Sequence, residues 1–227
     1  MRGFKDALAD GRSVAFIVKK GALAFEKRLV YKNGYTMRRE DIIRRLLDVC
    51  GDDPVVSTTG KSSRELFELR EASGKGHGRD FLTVGSMGHS SSIALGIALQ
   101  RPEKTVWCID GDGAVLMHMG ALAVIGASAP ENLRHVVINN EEHESEGGLP
   151  TAIGKIRLTR LAEACGYRYA ALAETEETLR EELCGFRDRK GPAFLEIRAA
   201  IGAREELGRP TTTPKENKED FTAFLRR

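Results

Sequence analysis

Gly111-Asp112-Gly113 and, after the twenty-five residues 114 to 138, Asn139-Asn140 are the residues whose types and spacing point most directly to chemistry. Each group ends an apolar run, and together they offer a side-chain carboxylate and side-chain amides. Oxygens of these two kinds suit a hard divalent cation such as Mg²⁺, held at roughly 2.1 Å. The glycines beside Asp112 let backbone come close to a bulky anion and open the next helix toward it. A cation next to a helix start is an arrangement for gripping a diphosphate.

Such groups must be carried on elements that converge. Short apolar runs at 14–18, 54–57, 81–84, 106–109, 133–138 and 193–197 read as strands. Between them, 39–50, 63–71, 91–99, 114–125, 158–165 and 176–186 have helical periodicity. This alternation predicts an α/β fold, a parallel sheet with helices on both faces. In such sheets ligands lie at the carboxyl ends of the strands. Thr59-Gly60, Gly85-Ser86, Gly111-Asp112-Gly113 and Asn139-Asn140 all fall at such ends. Two segments stand outside the pattern. Residues 1–36 read as a helix-like start, a strand at 13–19 and a polar connector through Lys32-Asn33-Gly34. The stretch after Gly208 has Pro210, three threonines and Pro214, then a short amphipathic helix at 218–225. No internal repeat is visible.

The 227 residues are 41% apolar and 30% charged, with a formal net charge of +2, which describes an ordinary soluble protein. That charge gives no argument for nucleic acid or a membrane surface. Arg38-Arg39 and Arg44-Arg45, at helical spacing, read as a solvated face or a subunit contact. Four scattered cysteines form no CxxC, and three sit in apolar contexts as buried small residues, so a reducing compartment is expected. No apolar run has membrane-spanning length and the N-terminal residues lack signal-peptide form, which makes the cytoplasm the expectation.

The paired motifs resemble the signature of thiamine-diphosphate enzymes. More specifically, five stretches resemble the phosphonopyruvate decarboxylase family of thiamine-diphosphate-dependent decarboxylases. They are Ser57-Thr58-Thr59-Gly60-Lys61-Ser62-Ser63-Arg64-Glu65-Leu66-Phe67-Glu68, Gly85-Ser86-Met87-Gly88-His89, Leu116-Met117-His118-Met119-Gly120, His143 to Thr151, and Arg209 to Pro214. The sulfopyruvate decarboxylase β subunit is similar too. The resemblance runs from about Arg38 onward. It implies residues 37–208 as a diphosphate-binding domain and 209–227 as a C-terminal tail with a short helix. Residues 1–36 would be the last strand of a pyrimidine-type domain plus connector. The glutamate that activates the cofactor in this family has no counterpart in 1–36, because Glu26 lies past the strand. A pyrimidine-domain partner in a hetero-oligomer would have to supply it, unless the chain is a truncated frame. The implied reaction converts phosphonopyruvate, a small 2-oxo acid, to phosphonoacetaldehyde and CO₂. Sulfopyruvate or another 3-substituted pyruvate is the alternative substrate, and a non-catalytic remnant the alternative of another class.

Carried over position by position, the resemblance implies Mg²⁺ held by Asp112, the Asn140 side chain and the Glu142 backbone carbonyl. It implies thiamine diphosphate bound by Thr59, Gly60, Lys61, Ser62, Gly111, Gly113, Ala114 and Ser145, with Gly85 and Ser86 at the aminopyrimidine. Met87 would wedge between the two rings. His143 and His89 are the candidates for proton handling, and Glu146 could assist protonation. His118 is read as structural on a buried helix. Lys61 and Arg64 are open between phosphonate and diphosphate. The sequence departs from the family at Glu141, where glycine is usual. A positive φ there would cost about 1 kcal/mol or more. The carboxylates of Glu141 and Glu142 must then point outward or meet basic partners.

Overall fold

A computed structural model of the chain describes residues 2–23 and 30–227. The chain divides after Val30 into two units. The first holds helix α1 (Arg2–Ala9), with the Phe4 ring edge-on to Phe16 at 6.3 Å. The strand expected at 13–19 is not formed: residues 12–19 carry no strand pairing. An extended segment needs a neighbour for its N–H and C=O groups, and no other strand lies among the described residues of this unit. Glu26 lies outside the described residues.

The second unit carries the sheet. In chain order it runs α2 (Arg39–Cys50), β1 (Val55–Ser57), α3 (Lys61–Ala72), β2 (Asp80–Leu82), α4 (Ser90–Gln100) and β3 (Val106–Gly111). Then follow α5 (Asp112–Met117), α6 (Gly120–Ser128), β4 (Leu133–Asn139), the small hairpin β5 (Glu142–His143) and β6 (Leu149–Pro150), and α7 (Leu158–Cys165). The unit ends with β7 (Tyr169–Ala173), α8 (Glu176–Leu183), β8 (Ala193–Arg198) and α9 (Pro214–Leu225). Six strands pair in the order β2-β1-β3-β4-β8-β7, every pair parallel. Among the described helices none is long and apolar enough to cross a membrane.

Alternate side chains of each strand face opposite sides, and this period of two divides the core. Trp107 and Ile109, Val136 and Ile138, and Leu195 and Ile197 pack with Ile43 and Leu46 of α2, Leu66 of α3 and Leu179 of α8. Val106 and Cys108, Val137, and Phe194 pack with Ala94 of α4, Ile125 of α6 and Ala162 of α7. Chain order reverses at the centre of the sheet: β1 leads outward to β2, and the next crossover returns to place β3 on the other side of β1. The crevice at the carboxyl ends of β1 and β3 is where such sheets bind ligands.

Besides shifts of up to three residues at the ends of α3, β2 and α8, three elements differ from the sequence expectation. The helix expected at 114–125 is two helices, because the chain leaves helical geometry at His118 (φ −132°, ψ 47°). His118 is consequently exposed rather than buried. Strand β7 was not foreseen: three of its five residues are alanine, a poor strand former. Helix α9 begins four residues earlier than expected, and Thr213 with Glu216 forms a capping box around Pro214. This helix packs on the edge strand β2. Asn217 Nδ2 donates to the Asp80 carbonyl at 2.8 Å, and the Leu82 N–H donates to Asn217 Oδ1 at 3.0 Å. Of the cysteines, only Cys50 and Cys108 are buried, rather than three; all four are free.

Candidate active site

An open cleft lies at the carboxyl ends of β1, β3 and β4. From β1 come Thr58, Thr59 and Gly60, followed by Lys61 and Ser62 at the start of α3. From β3 come Gly111, Asp112, Gly113 and Ala114, and from β4 and the hairpin come Asn140 and residues 142–146. Gly111 is paired with Ile138, so Asp112 and Asn140 stand one and two residues past the last common rung of neighbouring strands. Strand register, not sequence proximity, puts this acid and amide in one cavity.

Asp112 is 3% exposed. Burial pushes its carboxyl up to about 6, even though the Thr151 hydroxyl donates to Oδ2 at 2.5 Å. A carboxylate held so far from water favours a cation beside it. The Asn140 amide is fixed in orientation. Its Oδ1 accepts from the Glu142 N–H at 3.1 Å and its Nδ2 donates to Glu144 Oε1 at 2.8 Å. A Cβ on Gly113 would lie 2.7 Å from His143 Cε1 and 3.2 Å from Met87 Cε, so a side chain there would displace one or both. Gly113, Met87 and His143 therefore meet at one point. Gly60, with φ 106°, turns the chain into α3 in a conformation that side chains rarely adopt. Ser145 and Glu146 sit on a short 3₁₀ turn and line the same cleft.

Glu144 organises one wall. It takes ion pairs from Arg39 and Lys61, each at 3.0 Å, and a hydrogen bond from the Gly202 N–H at 2.7 Å. Burial works to raise its carboxyl, but Arg39 foremost, with Gly202 and Lys61, holds it below the usual carboxylate range. Arg39 also forms a two-point contact with Glu65, Nε to Oε2 at 2.7 Å and Nη2 to Oε1 at 2.9 Å. The reading of Arg38-Arg39 as a solvated or subunit-contact face is thus corrected at Arg39, which is buried and lines the cleft. A basic side chain at the first residue of a helix faces inward here because two buried acids await it.

Glu141 adopts φ 62°, a left-handed value that favours glycine. Its carboxylate does not line the cleft. Tyr31 donates to Oε2 at 2.6 Å, Tyr35 to Oε1 at 3.1 Å, and Arg198 to Oε1 at 3.2 Å. The hydrogen bond to Glu141 is the main reason the Tyr31 hydroxyl is pushed up to about 12. Three expected site residues lie outside the cleft lining. Gly85, Ser86 and His89 are exposed at the end of β2, with Gly85 and Ser86 both at positive φ. The Gly85 N–H reaches Thr59 Oγ1 at 3.2 Å, and the His89 ring lies 4.0 Å from that of His118. Arg64 borders a separate depression with Arg209. Arg39, Glu144, Thr151 and the Glu141 clamp escaped the sequence reading. Thr151 and Glu144 belong to a motif recognised as a unit, but only their contacts give them tasks.

The donor set fits a Mg²⁺–diphosphate group. It offers a buried carboxylate, an oriented amide oxygen, and a helix start opened by glycine. The fold is shared with a solved structure from Mycobacterium smegmatis described as a thiamin diphosphate-dependent enzyme. That match has a TM-score of 0.61 and 24% identity, and covers 73% of this chain and 32% of the other. The C-terminal TPP binding domain of thiamine pyrophosphate enzymes matches residues 58–197, and the chain belongs to that family. The cofactor is thiamine diphosphate, with the Mg²⁺ typical of the family.

Within the family, the chain is similar to two groups of decarboxylases. It is 40% identical over 182 residues to phosphonopyruvate decarboxylase of Streptomyces viridochromogenes, covering 80% of this chain and 44% of the relative. It is 36% identical over 156 residues to sulfopyruvate decarboxylase subunit beta of Methanocaldococcus jannaschii, covering 65% of this chain and 80% of that subunit. The chain thus spans less than half the length of the phosphonopyruvate decarboxylases it matches.

Proposed function

We propose that this chain is the diphosphate-binding part of a thiamine-diphosphate-dependent decarboxylase, a carboxy-lyase that converts phosphonopyruvate to phosphonoacetaldehyde and CO₂. The observation that carries this reading is the meeting of Asp112 and Asn140 at the end of paired strands, beside the start of α3. The similarity to phosphonopyruvate decarboxylase supports the substrate.

Bound thiamine diphosphate supplies the nucleophilic carbon and the electron sink that loss of CO₂ from a 2-oxo acid requires. The chain's residues do the rest. Asp112, the Asn140 amide oxygen and the Glu142 carbonyl would hold Mg²⁺, a hard cation suited to oxygen donors, which would offset the charge of the diphosphate. Gly60, Lys61 and Ser62 at the start of α3, with Gly111, Gly113, Ala114, Thr59 and Ser145, give donors or close backbone approach to the diphosphate. Met87, touching the Gly113 position, braces the cofactor. Gly85 and Ser86, exposed outside the cleft lining, would offer backbone groups to the aminopyrimidine. His143, at the same point of the cleft, moves a proton at its ring nitrogen, and Glu146 assists; His89, outside the cleft lining, is the second imidazole for proton handling.

The activating glutamate comes from a pyrimidine-domain partner, so the working protein is a hetero-oligomer in the cytoplasm. Residues 1–36 belong with that pyrimidine-type domain and its connector, 37–208 form the diphosphate domain, and 209–227 the tail. A relative that is itself a β subunit, matched over 80% of its length, supports the division into chains. Exposed apolar side chains on the segments that carry the site, among them Val84, Met117, Met119 and Leu149, support a covering partner. The same relative favours a second reading, sulfopyruvate as substrate. Reconstitution with a pyrimidine-domain chain and assay on both 2-oxo acids separates the two: preference for sulfopyruvate overturns the first. Asp112→Ala is expected to abolish Mg²⁺-dependent thiamine diphosphate binding in calorimetry, and unchanged affinity would remove the metal assignment.

A further inference from the structure

Beneath the cleft, three side chains of metal-ligating type project from one face of the sheet. Cys108 and Asp110 are alternate residues of β3, and His135 of β4 is the register partner of Cys108. Each is completely buried. A sulfur, a carboxylate oxygen and a ring nitrogen from these residues all lie within 4.8 Å of one another. Buried polar groups are ordinarily hydrogen-bonded. Here Asp110 Oδ2 and His135 Nε2 have no hydrogen-bond partner, although they face each other at 3.5 Å. That separation is close to the edge of a tetrahedron built on metal–ligand bonds of about 2.0–2.1 Å, roughly 3.3 Å.

The surroundings aim both atoms at the same spot. His135 Nδ1 lies 2.9 Å from the Tyr167 hydroxyl, which turns Nε2 toward the cluster. The other Asp110 oxygen accepts the Gly111 N–H at 2.9 Å. Ser90 Oγ is also buried without a hydrogen-bond partner. A thiolate and a carboxylate together would balance the charge of a dication.

We propose that Cys108, Asp110 and His135 bind one transition-metal dication of the Zn²⁺ class, at a structural site distinct from the Asp112–Asn140 cavity. A sulfur, nitrogen and oxygen donor set suits such an ion and not Mg²⁺. The ion would tie β3 to β4 two residues before Asp112 and so hold the strand that presents it. Because the cluster is closed to solvent, it would load as the chain folds. This site does not depend on which 2-oxo acid the protein uses.

The test refolds the full tag-free chain in the presence of Co²⁺, then removes loosely held metal with a chelator and gel filtration. Wild type and Asp112→Ala are each expected to retain about one Co²⁺ per chain and to show thiolate-to-cobalt absorption in the near ultraviolet. Cys108→Ala should lose that absorption, and Zn²⁺ in place of Co²⁺ should raise the wild-type thermal midpoint by several degrees. The wild type decides alone if Cys108→Ala fails to fold. Folded wild type with no retained cobalt and no thiolate band overturns the proposal, and so does a band that survives Cys108→Ala.

Discussion

At the scale of single residues, Glu141 shows two effects in competition. Its left-handed backbone costs about 1–2 kcal/mol that glycine would not incur. Against this stand three hydrogen bonds from Tyr31, Tyr35 and Arg198. Each contributes about 0.5–1.5 kcal/mol or somewhat more, since all three end on the carboxylate. The contacts win, so Glu141→Gly is expected to destabilise the chain by about 1–2 kcal/mol in urea unfolding, despite relieving the backbone. A stabilised variant would show the clamp to be idle. Asp112 gives a pH dependence. Its folded value near 6 lies above the ordinary 3.8, so the folded chain binds more protons than the unfolded one between them. Stability without metal therefore falls as pH rises through that window. Mg²⁺ needs the carboxylate, so cofactor affinity should instead weaken as pH falls below about 6. Calorimetry across that range checks this, and affinity that stays level down to pH about 5 would refute it.

At the scale of elements, the packing is most sensitive where backbones touch. A Cβ on Gly126 of α6 would lie 1.7 Å from the Cys165 carbonyl oxygen at the end of α7. Gly126→Ala must push these helices apart, at about 3 kcal/mol or more, because the obstacle is backbone. Asn217 matters for a different reason. Asn217→Ala leaves the Asp80 carbonyl and the Leu82 N–H without their partners on the edge strand, at about 1–3 kcal/mol, with faster amide exchange at Leu82. Unchanged exchange there would show that α9 does not secure the edge. Elements with strong periodicity were legible: α2 and α7 have the bounds read from sequence. Strand β7 was not, since its alanines pack as a strand only because β8 lies beside them. The break between α5 and α6 also has no local signal. It places α6 where Gly126 meets α7.

At the scale of the whole molecule, the chain spans 44% of one relative that matches it and 80% of another. Under the proposed function, a second chain supplies the pyrimidine domain. Alone, this protein is expected to bind thiamine diphosphate weakly and turn nothing over; with a pyrimidine-domain partner it should co-elute in gel filtration and gain activity. Full turnover by an isolated monomer would reject the divided enzyme.

The amino-acid sequence determined the layered parallel fold, through the alternation of strand and helix periods. It also determined the strand-end motifs, because Gly111-Asp112-Gly113 and Asn139-Asn140 are local words with local backbone demands. Only the tertiary structure decided what those motifs meet. Arg39 reaches Glu144 across 105 positions, and Tyr31 reaches Glu141 across 110. Cys108 and His135 meet through strand register. Such contacts depend on which strands become neighbours, and that is settled by burial of the whole core rather than by any short stretch of chain.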